Sequence, residues 1–404
     1  MKYSSLSEIY YADKSKYEST YKERFASDEC IKLDFYIGEN QVFFLETHSL
    51  LKEVNGILWK TATIRRIADA LPKVAWTQLR NKYLIDEIVL TNDIEGVQST
   101  RREIGEVLTD LSGQNTRSRF AGLVNKYVNL GDVRQIKTCE DIRNLYDDMF
   151  LDEVIAEDKK NRPDGKMFRA GCVSVINGAQ KTLHEGLFPE SKIIDAMNSA
   201  LVILNDPEIE LIFRIGIFHY LFGYIHPFYE GNGRMSRYIS SNFIAEGLTP
   251  LLGYRISYTV KENLKGYYKA FNVCNDVKNK GDITPFLLMF TRLISLSCDS
   301  LEADLLRKSN DYETWKKLLP QISGEQPVKM QELYGYLTQA SLFSDIGISI
   351  PELLVLTDVT RATLAKRLNK IDSTGILKLT KRGKGKFYML DLDKIELDDL
   401  ISEQ

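Results

Sequence analysis

The chain has 404 residues, with 53 basic and 56 acidic side chains and a net charge of −3. This length exceeds what a single hydrophobic core usually supports, so two or three domains are expected. The balanced charge gives no chain-wide signal for nucleic acid, membranes or polyanions, although it leaves room for a local basic patch. Hydrophobic residues (44%) and charged residues (27%) are present at the levels of an ordinary soluble globular protein. The 10 prolines and 25 glycines leave no room for a long disordered linker or a collagen-like tract.

The five cysteines are scattered and odd in number, and no two form a C-x-x-C pair. This excludes a disulfide framework or a zinc ribbon and favours a reducing compartment. The N-terminus lacks the apolar stretch of a secretory leader. The most apolar window, residues 211–225, is too short to span a bilayer and predicts a buried core helix. We therefore expect a cytoplasmic protein with no membrane partner.

Apolar spacing along the first part of the chain predicts helices. From about residue 41 to 90, apolar side chains recur three and four positions apart, and the last stretch runs into residues 91–96. Residues 161–190 differ: they begin with the turn-forming Pro163-Asp164-Gly165, and two short apolar runs flanking Asn177-Gly178 predict a β-hairpin. Further helices are predicted over residues 101–108, 139–156, 190–204, 208–224, 261–273 and 284–307.

The pattern changes again beyond Pro320. Residues 350–356 and 361–371 have the pattern of two short helices joined by a tight turn, and the alternating segments 376–379 and 386–390 flank a basic turn. Helix, turn, helix and basic hairpin in this order predict a winged helix. The expected fold class is therefore mainly α, with a small β-hairpin followed by a winged-helix domain.

One segment concentrates residues that are suited to phosphate chemistry: His226-Pro227-Phe228-Tyr229-Glu230-Gly231-Asn232-Gly233-Arg234-Met235-Ser236-Arg237. The proline disfavours continuation of the preceding helix, so His226 is expected at the end of that helix. The two glycines let successive N–H groups point into one concavity, and a helix that starts near Asn232 adds its positive end. Arg234 and Arg237 lie three positions apart and share a face of that helix. Together these features predict a seat for a diphosphate or triphosphate.

Two side chains beside this seat are candidates for catalysis. Glu230 could hold a magnesium ion against the phosphates. His226, with an ordinary pKa of about 6.5, is suited to take a proton from a hydroxyl at neutral pH. Taken singly, these residues are more often a loop, a turn or a solvated arginine pair. Twelve contiguous residues behind a buried helix favour the functional interpretation.

This segment resembles the signature of the Fic (Fido) family, His-x-Phe-x-(Asp/Glu)-Gly-Asn-Gly-Arg-x-x-Arg, and matches it at every fixed position. The resemblance implies a helical Fic fold and a protein adenylyltransferase, which moves AMP from ATP to a hydroxyl of a target protein and releases diphosphate. It implies that His226 is the base acting on the target hydroxyl and that Glu230 binds Mg²⁺. It assigns the ATP phosphates to Gly231, Asn232, Gly233, Arg234 and Arg237.

Two other segments resemble parts of the same family. Residues 165–169, leading into the hairpin at 172–186, are similar to the Fic flap, which holds a target peptide by strand addition. The flap residues that this implies, which depart from the commoner aromatic-rich form, are Cys172, Val173, Ser174 and Val175. Tyr267 and Tyr268 resemble a tyrosine pair near the family's nucleotide pocket, with core or surface packing as the alternative.

The segment Thr91-Asn92-Asp93-Ile94-Glu95-Gly96 matches the family's inhibitory motif, (Ser/Thr)-x-x-x-Glu-(Gly/Asn). Its position upstream of the core resembles the class of Fic proteins that are inhibited by an N-terminal helix of the same chain. In that class Glu95 would pair with Arg237 and take the place of the γ-phosphate of ATP, because a guanidinium fork suits both anions. Without the Fic signature, the same residues would indicate a plain helix C-terminus.

Basic residues on the second predicted helix and the hairpin of the C-terminal segment indicate contacts with DNA phosphates. The residues chosen for this contact are Arg361, Lys366, Arg367 and Lys384. A solvated face, or a winged helix used for protein contact, is the alternative.

The sequence thus predicts three domains: an N-terminal helical region with the inhibitory motif (1–100), a Fic catalytic core (101–310) and a winged-helix-like domain (321–404). The expected cofactors are ATP, as substrate, and Mg²⁺. The expected partner is a protein that offers a Ser, Thr or Tyr hydroxyl, while self-modification and a homodimer are left open. The alternative functions are removal of AMP, transfer of another nucleotide at the same site, and a DNA-binding regulator whose Fic core senses nucleotide.

Overall fold

The computed structural model describes residues 3–111, 118–132, 136–176, 182–382 and 385–395. Its fold is mainly α with small antiparallel sheets, which confirms the predicted class. The helices are α1 (Leu6–Ala12), α2 (Lys14–Ala26), α3 (His48–Asp69), α4 (Lys73–Ile94), α5 (Arg101–Leu111), α6 (Ala121–Val128), α7 (Cys139–Tyr146), α8 (Asp152–Glu157), α9 (Glu190–Leu204), α10 (Leu211–Ile225), α11 (Asn232–Gly247), α12 (Pro250–Gly253), α13 (Ile256–Glu262), α14 (Leu264–Asn275), α15 (Thr284–Ser323), α16 (Val328–Phe343), α17 (Ile350–Thr357) and α18 (Arg361–Asp372). A π-helical segment, Asp147–Leu151, joins α7 to α8.

The described strands form three small sheets. They are β1 (Cys30–Ile37), β2 (Asn40–Leu45), β3 (Ser174–Ile176), β4 (Thr182–Glu185), β5 (Ile348–Ser349), β6 (Leu377–Arg382) and β7 (Gly385–Leu390). β1 pairs with β2, β3 pairs with β4, and the third sheet has the order β5-β7-β6. The turn predicted at Asn177-Gly178, between β3 and β4, lies outside the described residues.

The backbone divides into two compact units. The first comprises Met1–Thr61 and Glu87–Asp299, and the second comprises Ala62–Asp86 and Ser300–Gln404. The predicted inhibitory motif and the predicted phosphate-binding segment therefore belong to the same unit. The three-domain division stays a prediction, and residues 62–86 of its N-terminal region group with the second unit.

The first unit is built around α10, which packs between α9 and α11. Its sequence is apolar on every side, and its residues from Ile212 to Phe222 are buried except for Arg214. A helix without a polar face is stable only where other elements surround it. The prediction of a buried core helix over residues 211–225 is thus confirmed, and the two ends of this helix are placed rigidly.

Residues 30–45 differ from the predicted pattern, because β1 and β2 form a hairpin ahead of the first long helix, α3. Every second residue of β1 is buried (Leu33, Phe35 and Ile37), which is the period of a strand. In β2 the backbone of Phe43 bonds to Gly281 and Ile283, far along the chain. The helical prediction was wrong at residues 41–45 because these long-range hydrogen bonds decide the local conformation.

The second unit contains the helices and the hairpin that the sequence predicted. α17 and α18 are joined by residues 358–360, and β6 and β7 follow. Their shared core, with α16, includes Leu353, Leu364, Leu368 and Tyr388. Among the described residues, no helix is both long and apolar enough to cross a membrane. All five cysteines are free thiols.

Candidate active site

α10 ends at His226, as the proline after it predicted. The backbone of His226 has a left-handed conformation (φ 52°), and its N–H donates to the carbonyl oxygen of Phe222 at 2.9 Å. A helix commonly ends on a residue in this conformation, after which the chain changes direction. The turn therefore places the His226 imidazole at the end of a rigid buried helix.

The surroundings of His226 keep its imidazole neutral. Burial, followed by the positive charges of Arg169 and His184, lowers the pKa of His226 to about 4. The ring also bonds to the backbone of Gly223, and a carbonyl can only accept, so the nitrogen that faces it carries the proton. The other ring nitrogen then has a free lone pair at neutral pH, which is what a general base requires.

The loop after His226 is closed by the side chain of Asn232. Its amide accepts from the N–H of Phe228 at 3.0 Å and donates to the carbonyl oxygen of the same residue at 2.8 Å. Gly231, with φ 83°, precedes α11, which begins at Asn232 as predicted. The Phe228 ring stacks on Tyr146 with the ring centroids 3.7 Å apart. The loop is thus held from both sides, and the N-terminus of α11 is left to present its N–H groups.

Arg169 joins the loop of His226 to the base of the β3–β4 hairpin, and the sequence did not single it out for this role. Its side chain is fully buried. Nε donates to the carbonyl oxygen of His226 at 2.8 Å, Nη2 donates to that of Leu187 at 2.9 Å, and Nη1 donates to that of Gly171. An arginine that satisfies three backbone carbonyls fixes their relative positions, and only the tertiary structure shows this.

Arg237 contacts two residues of the predicted inhibitory motif, Thr91 and Glu95. It is fully buried, and its Nη2 lies 2.8 Å from Oε1 of Glu95. Thr91 accepts from the same guanidinium through Oγ1 (2.8 Å) and through its backbone carbonyl (3.0 Å). Burial by itself lowers the pKa of Arg237. The negative charge of Glu95, with smaller contributions from other groups, raises this pKa by more, so the pKa of Arg237 is raised overall. The contact predicted between Glu95 and Arg237 is present.

Arg234 has a different carboxylate partner, which the sequence did not predict. Its Nη1 lies 2.6 Å from Oε1 of Glu153 on α8, and both side chains are buried. Its guanidinium also lies over the Phe150 ring at 4.8 Å. Nε of Arg234 and Nη1 of Arg237 are buried and have no hydrogen-bond partner among the described residues. Buried donors of this kind normally have an acceptor, so the two arginines retain capacity for an anion.

Gly233 lets the Glu95 carboxylate approach the first turn of α11. A methyl group at Gly233 would overlap this carboxylate, so any other residue here would force the Glu95 side chain to shift. The Glu95 side chain is 31% exposed, whereas Arg237 beneath it is fully buried. The Glu95 carboxylate therefore lies against both the first turn of α11 and Arg237, a position that suits an anion, and it can be reached from solvent.

Glu230 lies exposed beside this anion seat. Partial desolvation raises its pKa; Arg234 acts in the opposite direction, and the negative charges of Glu157 and Glu95 add to the rise. In the described part of the chain, no group of three histidine, cysteine or acidic side chains could hold a metal by itself. A single exposed carboxylate nevertheless fits Mg²⁺, which commonly takes one or two carboxylates and completes its shell with water and substrate phosphates.

Tyr267 and Tyr268 lie beside the same arginine. The charges of Arg237 and Glu95 act on both phenols, whose pKa values are raised chiefly by desolvation. Tyr267 is buried and bonds His219 at 2.7 Å, whereas Tyr268 is 40% exposed. His219 is fully buried, and its other nitrogen bonds Ser240 at 2.8 Å. His219 is therefore a core residue, and Tyr268 is the tyrosine of the pair that a ligand could reach.

The remaining predicted site residues lie in the flap and in the second unit. Cys172 is exposed, Val173 bonds Gly186 through its carbonyl at 3.0 Å, and Ser174 begins β3, which continues through Val175. In the second unit Arg361 and Lys366 are exposed. Arg367 donates to the carbonyl oxygen of Lys329 at 3.4 Å, and Lys384 lies outside the described residues.

Residues 137–244, which include His226, Glu230, Arg234 and Arg237, match the model of the Fic/DOC family. This segment is a Fic/DOC domain. It contains α7 to α10, the strands β3 and β4, and most of α11, so every residue of the signature falls inside the Fic domain. Glu95 and the tyrosine pair lie outside the matched segment.

Three solved structures show similarity to a larger part of the chain. A Fic family protein from Desulfovibrio desulfuricans G20 is 19% identical, with a TM-score of 0.49 over 85% of this chain and 96% of that one. A Fic domain containing signaling protein from Bacteroides thetaiotaomicron VPI-5482 is 15% identical, with a TM-score of 0.43 over 61% and 95%. Fic-1 from C. elegans is 15% identical, with a TM-score of 0.41 over 73% and 79%. The assignment of the Fic domain depends on the family match over residues 137–244.

Proposed function

We propose that this protein is an adenylyltransferase that moves AMP from ATP to a Ser, Thr or Tyr hydroxyl of a target protein, and that Glu95 holds it inactive. The observation that carries the proposal is the ion pair between Glu95 and the buried Arg237, 2.8 Å apart. A carboxylate bound by a guanidinium group at a helix N-terminus occupies a place suited to a phosphate.

In this proposal the lone pair of His226 accepts the proton of the target hydroxyl. The hydroxyl oxygen forms a bond to the α-phosphorus of ATP, the bond from that phosphorus to its bridging oxygen breaks, and diphosphate leaves with the electron pair. The low pKa of His226, about 4, keeps the base unprotonated at neutral pH. Because α10 and Arg169 fix its position, little reorganisation is needed when the hydroxyl arrives.

The phosphates of ATP would lie over the first turn of α11. The free donors Nε of Arg234 and Nη1 of Arg237 supply hydrogen bonds and positive charge to the phosphate oxygens. Such stabilisation is strongest where water is excluded, and both guanidinium groups are buried. Glu230 would hold Mg²⁺, which neutralises charge on the phosphates when it is bound.

The target peptide would add to the hairpin of β3 and β4. A two-stranded sheet leaves an outer edge on each strand, and an extended peptide can pair with such an edge through its backbone. Arg169 connects the base of this hairpin to the loop of His226, which would set the distance between the target hydroxyl and the base.

Glu95 would inhibit by competition for Arg237. With Glu95 in place, one arm of the guanidinium is occupied by a carboxylate, and a γ-phosphate on the same arm would be repelled by the negative charge of that carboxylate. Removal of the Glu95 side chain should therefore admit ATP in the productive position. The charge-assisted contact of Glu95 with Arg237 must break before a phosphate takes its place, and at about 1.5–3 kcal/mol it corresponds to roughly 10- to 150-fold in activity at limiting ATP.

The test is incubation of the purified protein with α-labelled ATP, Mg²⁺ and a lysate as the source of targets. Glu95→Gly should increase label in protein by a factor in that range, and Glu95→Gly/His226→Ala should return it to background. Asp93→Ala is the matched control, because Asp93 lies two residues away and pairs with Lys261 at 2.7 Å instead of Arg237. If Glu95→Gly labels no faster than wild type, the inhibitory role is wrong.

The same assay separates the neighbouring chemistries of this site. Label from α-labelled GTP, CTP or UTP in place of ATP would redirect the proposal to another nucleotide. Release of AMP from a target that was modified beforehand, requiring both His226 and Glu95, would identify removal as the reaction.

A further inference from the structure

The second unit carries a concentration of positive charge that the proposed function does not use. Residues 361–390 contain nine basic side chains and one acidic side chain, Asp372. The other 374 residues contain 44 basic and 55 acidic side chains. The small net charge of the whole chain therefore conceals a strongly basic segment within an acidic protein, and the partner of such a segment is expected to be negatively charged.

This segment has the order of elements of a helix-turn-helix followed by a hairpin. α17 ends at Asp358, whose backbone is left-handed (φ 47°), and Thr360 caps α18 by accepting from the N–H of Thr363 at 3.3 Å. A turn of three residues between two short helices is typical of this motif, in which the second helix enters the major groove of DNA. Here the second helix is α18.

The outer face of α18 is exposed and suited to close approach. Leu364, Leu368 and Ile371 are buried on its inner face. At 100° per residue, the face directly opposite them carries Ala362, Lys366 and Asn369, and all three are exposed. Ala362 is short enough to let the helix approach DNA closely, while Lys366 and Asn369 can contact phosphates and base edges.

Two other basic residues of α18, of which Arg367 was predicted to contact DNA, point elsewhere. Arg367 donates to the carbonyl oxygen of Lys329, and Lys370 donates to Oε1 of Gln326 at 2.7 Å. Both lie on the flank of α18 that faces the start of α16. They hold the helix within its own unit, so the contact predicted for Arg367 does not belong to the exposed basic face.

The hairpin extends the basic face on the other flank. The β6 strand of the hairpin packs against α18, and Tyr388, its partner strand's residue in the shared core, lies close to Arg361 and Asp372, so the hairpin lies along the Arg361 flank. The register pairs Leu379 with Tyr388 and Lys381 with Lys386. Because side chains alternate along a strand, Lys381 and Lys386 point to the same side of the hairpin as Tyr388.

Four exposed residues therefore form one surface, here called the basic surface: Arg361, Lys366, Lys381 and Lys386. Within the described ranges, no ion pair joins any of them to a carboxylate. Lys381 and Lys386 face each other directly across the strands, and like charges in this position are unfavourable unless an anion lies nearby. The surface thus presents four unneutralised charges on a helix and on a hairpin beside it.

We propose that the basic surface binds duplex DNA, with α18 in the major groove and Lys381 and Lys386 of the hairpin on the neighbouring phosphate backbone. Duplex DNA is favoured over an acidic protein because its phosphates are spaced regularly enough to meet a helix and a hairpin at once, while the groove between them admits an α-helix. This proposal is independent of the function proposed for the Fic domain.

The test is fluorescence anisotropy of a labelled 30-base-pair duplex of mixed sequence, titrated with the full chain at about 50 and 200 mM salt. Wild type should bind with a non-specific Kd of roughly 10⁻⁴–10⁻⁶ M at physiological salt and more tightly at lower salt. If the four side chains contact four phosphates, affinity should fall roughly 100-fold between the two salt concentrations. Arg361→Glu/Lys366→Glu and Lys381→Glu/Lys386→Glu should each weaken binding at least tenfold and flatten the salt dependence.

The matched control is Lys22→Glu/Lys52→Glu, which reverses two exposed lysines of the first unit and should leave binding unchanged. Lys366→Arg should retain binding where Lys366→Gln loses it, which separates loss of charge from loss of fold. Absence of binding at low salt, an affinity that salt does not change, or equal loss in the control would overturn the proposal. Displacement of the duplex by poly-glutamate at equal charge concentration would also overturn it, since the surface would then fit an acidic protein equally well.

Discussion

Nε of Arg169 donates a hydrogen bond of 2.8 Å to the backbone carbonyl oxygen of His226, although the two residues lie 57 positions apart in the sequence. The same guanidinium holds the carbonyl oxygens of Gly171 and Leu187 on either side of the β3–β4 hairpin. It has no carboxylate partner in the described part of the protein. Three carbonyl dipoles therefore stabilise the fully buried charge of Arg169. The same three hydrogen bonds fix the position of His226, the proposed base, relative to the β3–β4 hairpin.

Arg169→Met should impair transfer without removing a reacting group. It leaves three carbonyl groups without their donor, at about 1–3 kcal/mol for each one that water cannot reach. In the Glu95→Gly background, we expect kcat to fall at least tenfold while the KM for ATP changes little, because the phosphate seat does not involve Arg169. Arg162→Met is the control on the same segment, since that arginine is exposed. A rise in KM with unchanged kcat would contradict this role.

The His226 ring should titrate far below an ordinary histidine. Its pKa of about 4 arises chiefly from burial and then from the charge of Arg169. Proton NMR of the His226 ring should therefore show no change between about pH 8 and 5.5, and transfer by Glu95→Gly should be flat over the same range. Arg169→Met should move the midpoint upward, toward the ordinary value of about 6.5. A wild-type midpoint near 6.5 would show that the site is more hydrated than the structure implies.

Glu153 should be required for the stability of the phosphate seat. It pairs with Arg234 at 2.6 Å in a buried setting, and removal of one partner from such a pair costs about 3–5 kcal/mol. We expect this loss in Glu153→Ala and a smaller one in Glu153→Gln, both measured by chemical denaturation. In the Glu95→Gly background, Glu153→Gln should also raise the KM for ATP. The exposed pair of Lys126 and Asp148 supplies the control, since Asp148→Asn should cost under about 1 kcal/mol.

Glu87 should make stability depend on pH. It is fully buried on α4, and desolvation raises its pKa to about 7 despite hydrogen bonds from Ser257 and the charges of Arg237 and Arg255. The folded protein thus holds a proton that the unfolded chain releases at about pH 4.5. The stabilisation of the folded state by this proton is complete below about pH 4.5 and is lost as pH rises through 7.

Glu87→Gln should remove this dependence. Relative to the variant, the wild type should lose up to about 3 kcal/mol in free energy of unfolding between about pH 4.5 and 8, because the pKa of Glu87 is about 7 in the folded protein and about 4.5 in the unfolded chain. The measurement is the difference between the two denaturation free energies across that range, which cancels the other titrating groups. A constant difference would mean that Glu87 is ionised throughout.

Local pattern was enough to find the helix ends on either side of the candidate catalytic segment. The uninterrupted apolar run of α10, the proline after His226 and the two glycines before α11 are each readable within a few residues, and the structure places the helix ends there. The same holds for α17, α18 and the hairpin that follows, where turn residues and alternation lie close together. Such elements are predictable because the interactions that define them join neighbours along the chain.

The sequence by itself identified the residues proposed to line the anion seat, since the segment that resembles the Fic signature and the predicted inhibitory motif are contiguous in the chain. Only the tertiary structure decided their partners: Glu153 for Arg234, Arg169 for the carbonyl of His226, and Phe43 pairing with residues 281–283 in a strand that the local pattern predicted as helix. The tertiary structure also shows that Arg367 bonds to the carbonyl oxygen of Lys329 in its own unit and is not part of the basic surface. These contacts join residues tens to hundreds of positions apart, and their energies come from burial and charge pairing, which no local period in the sequence records.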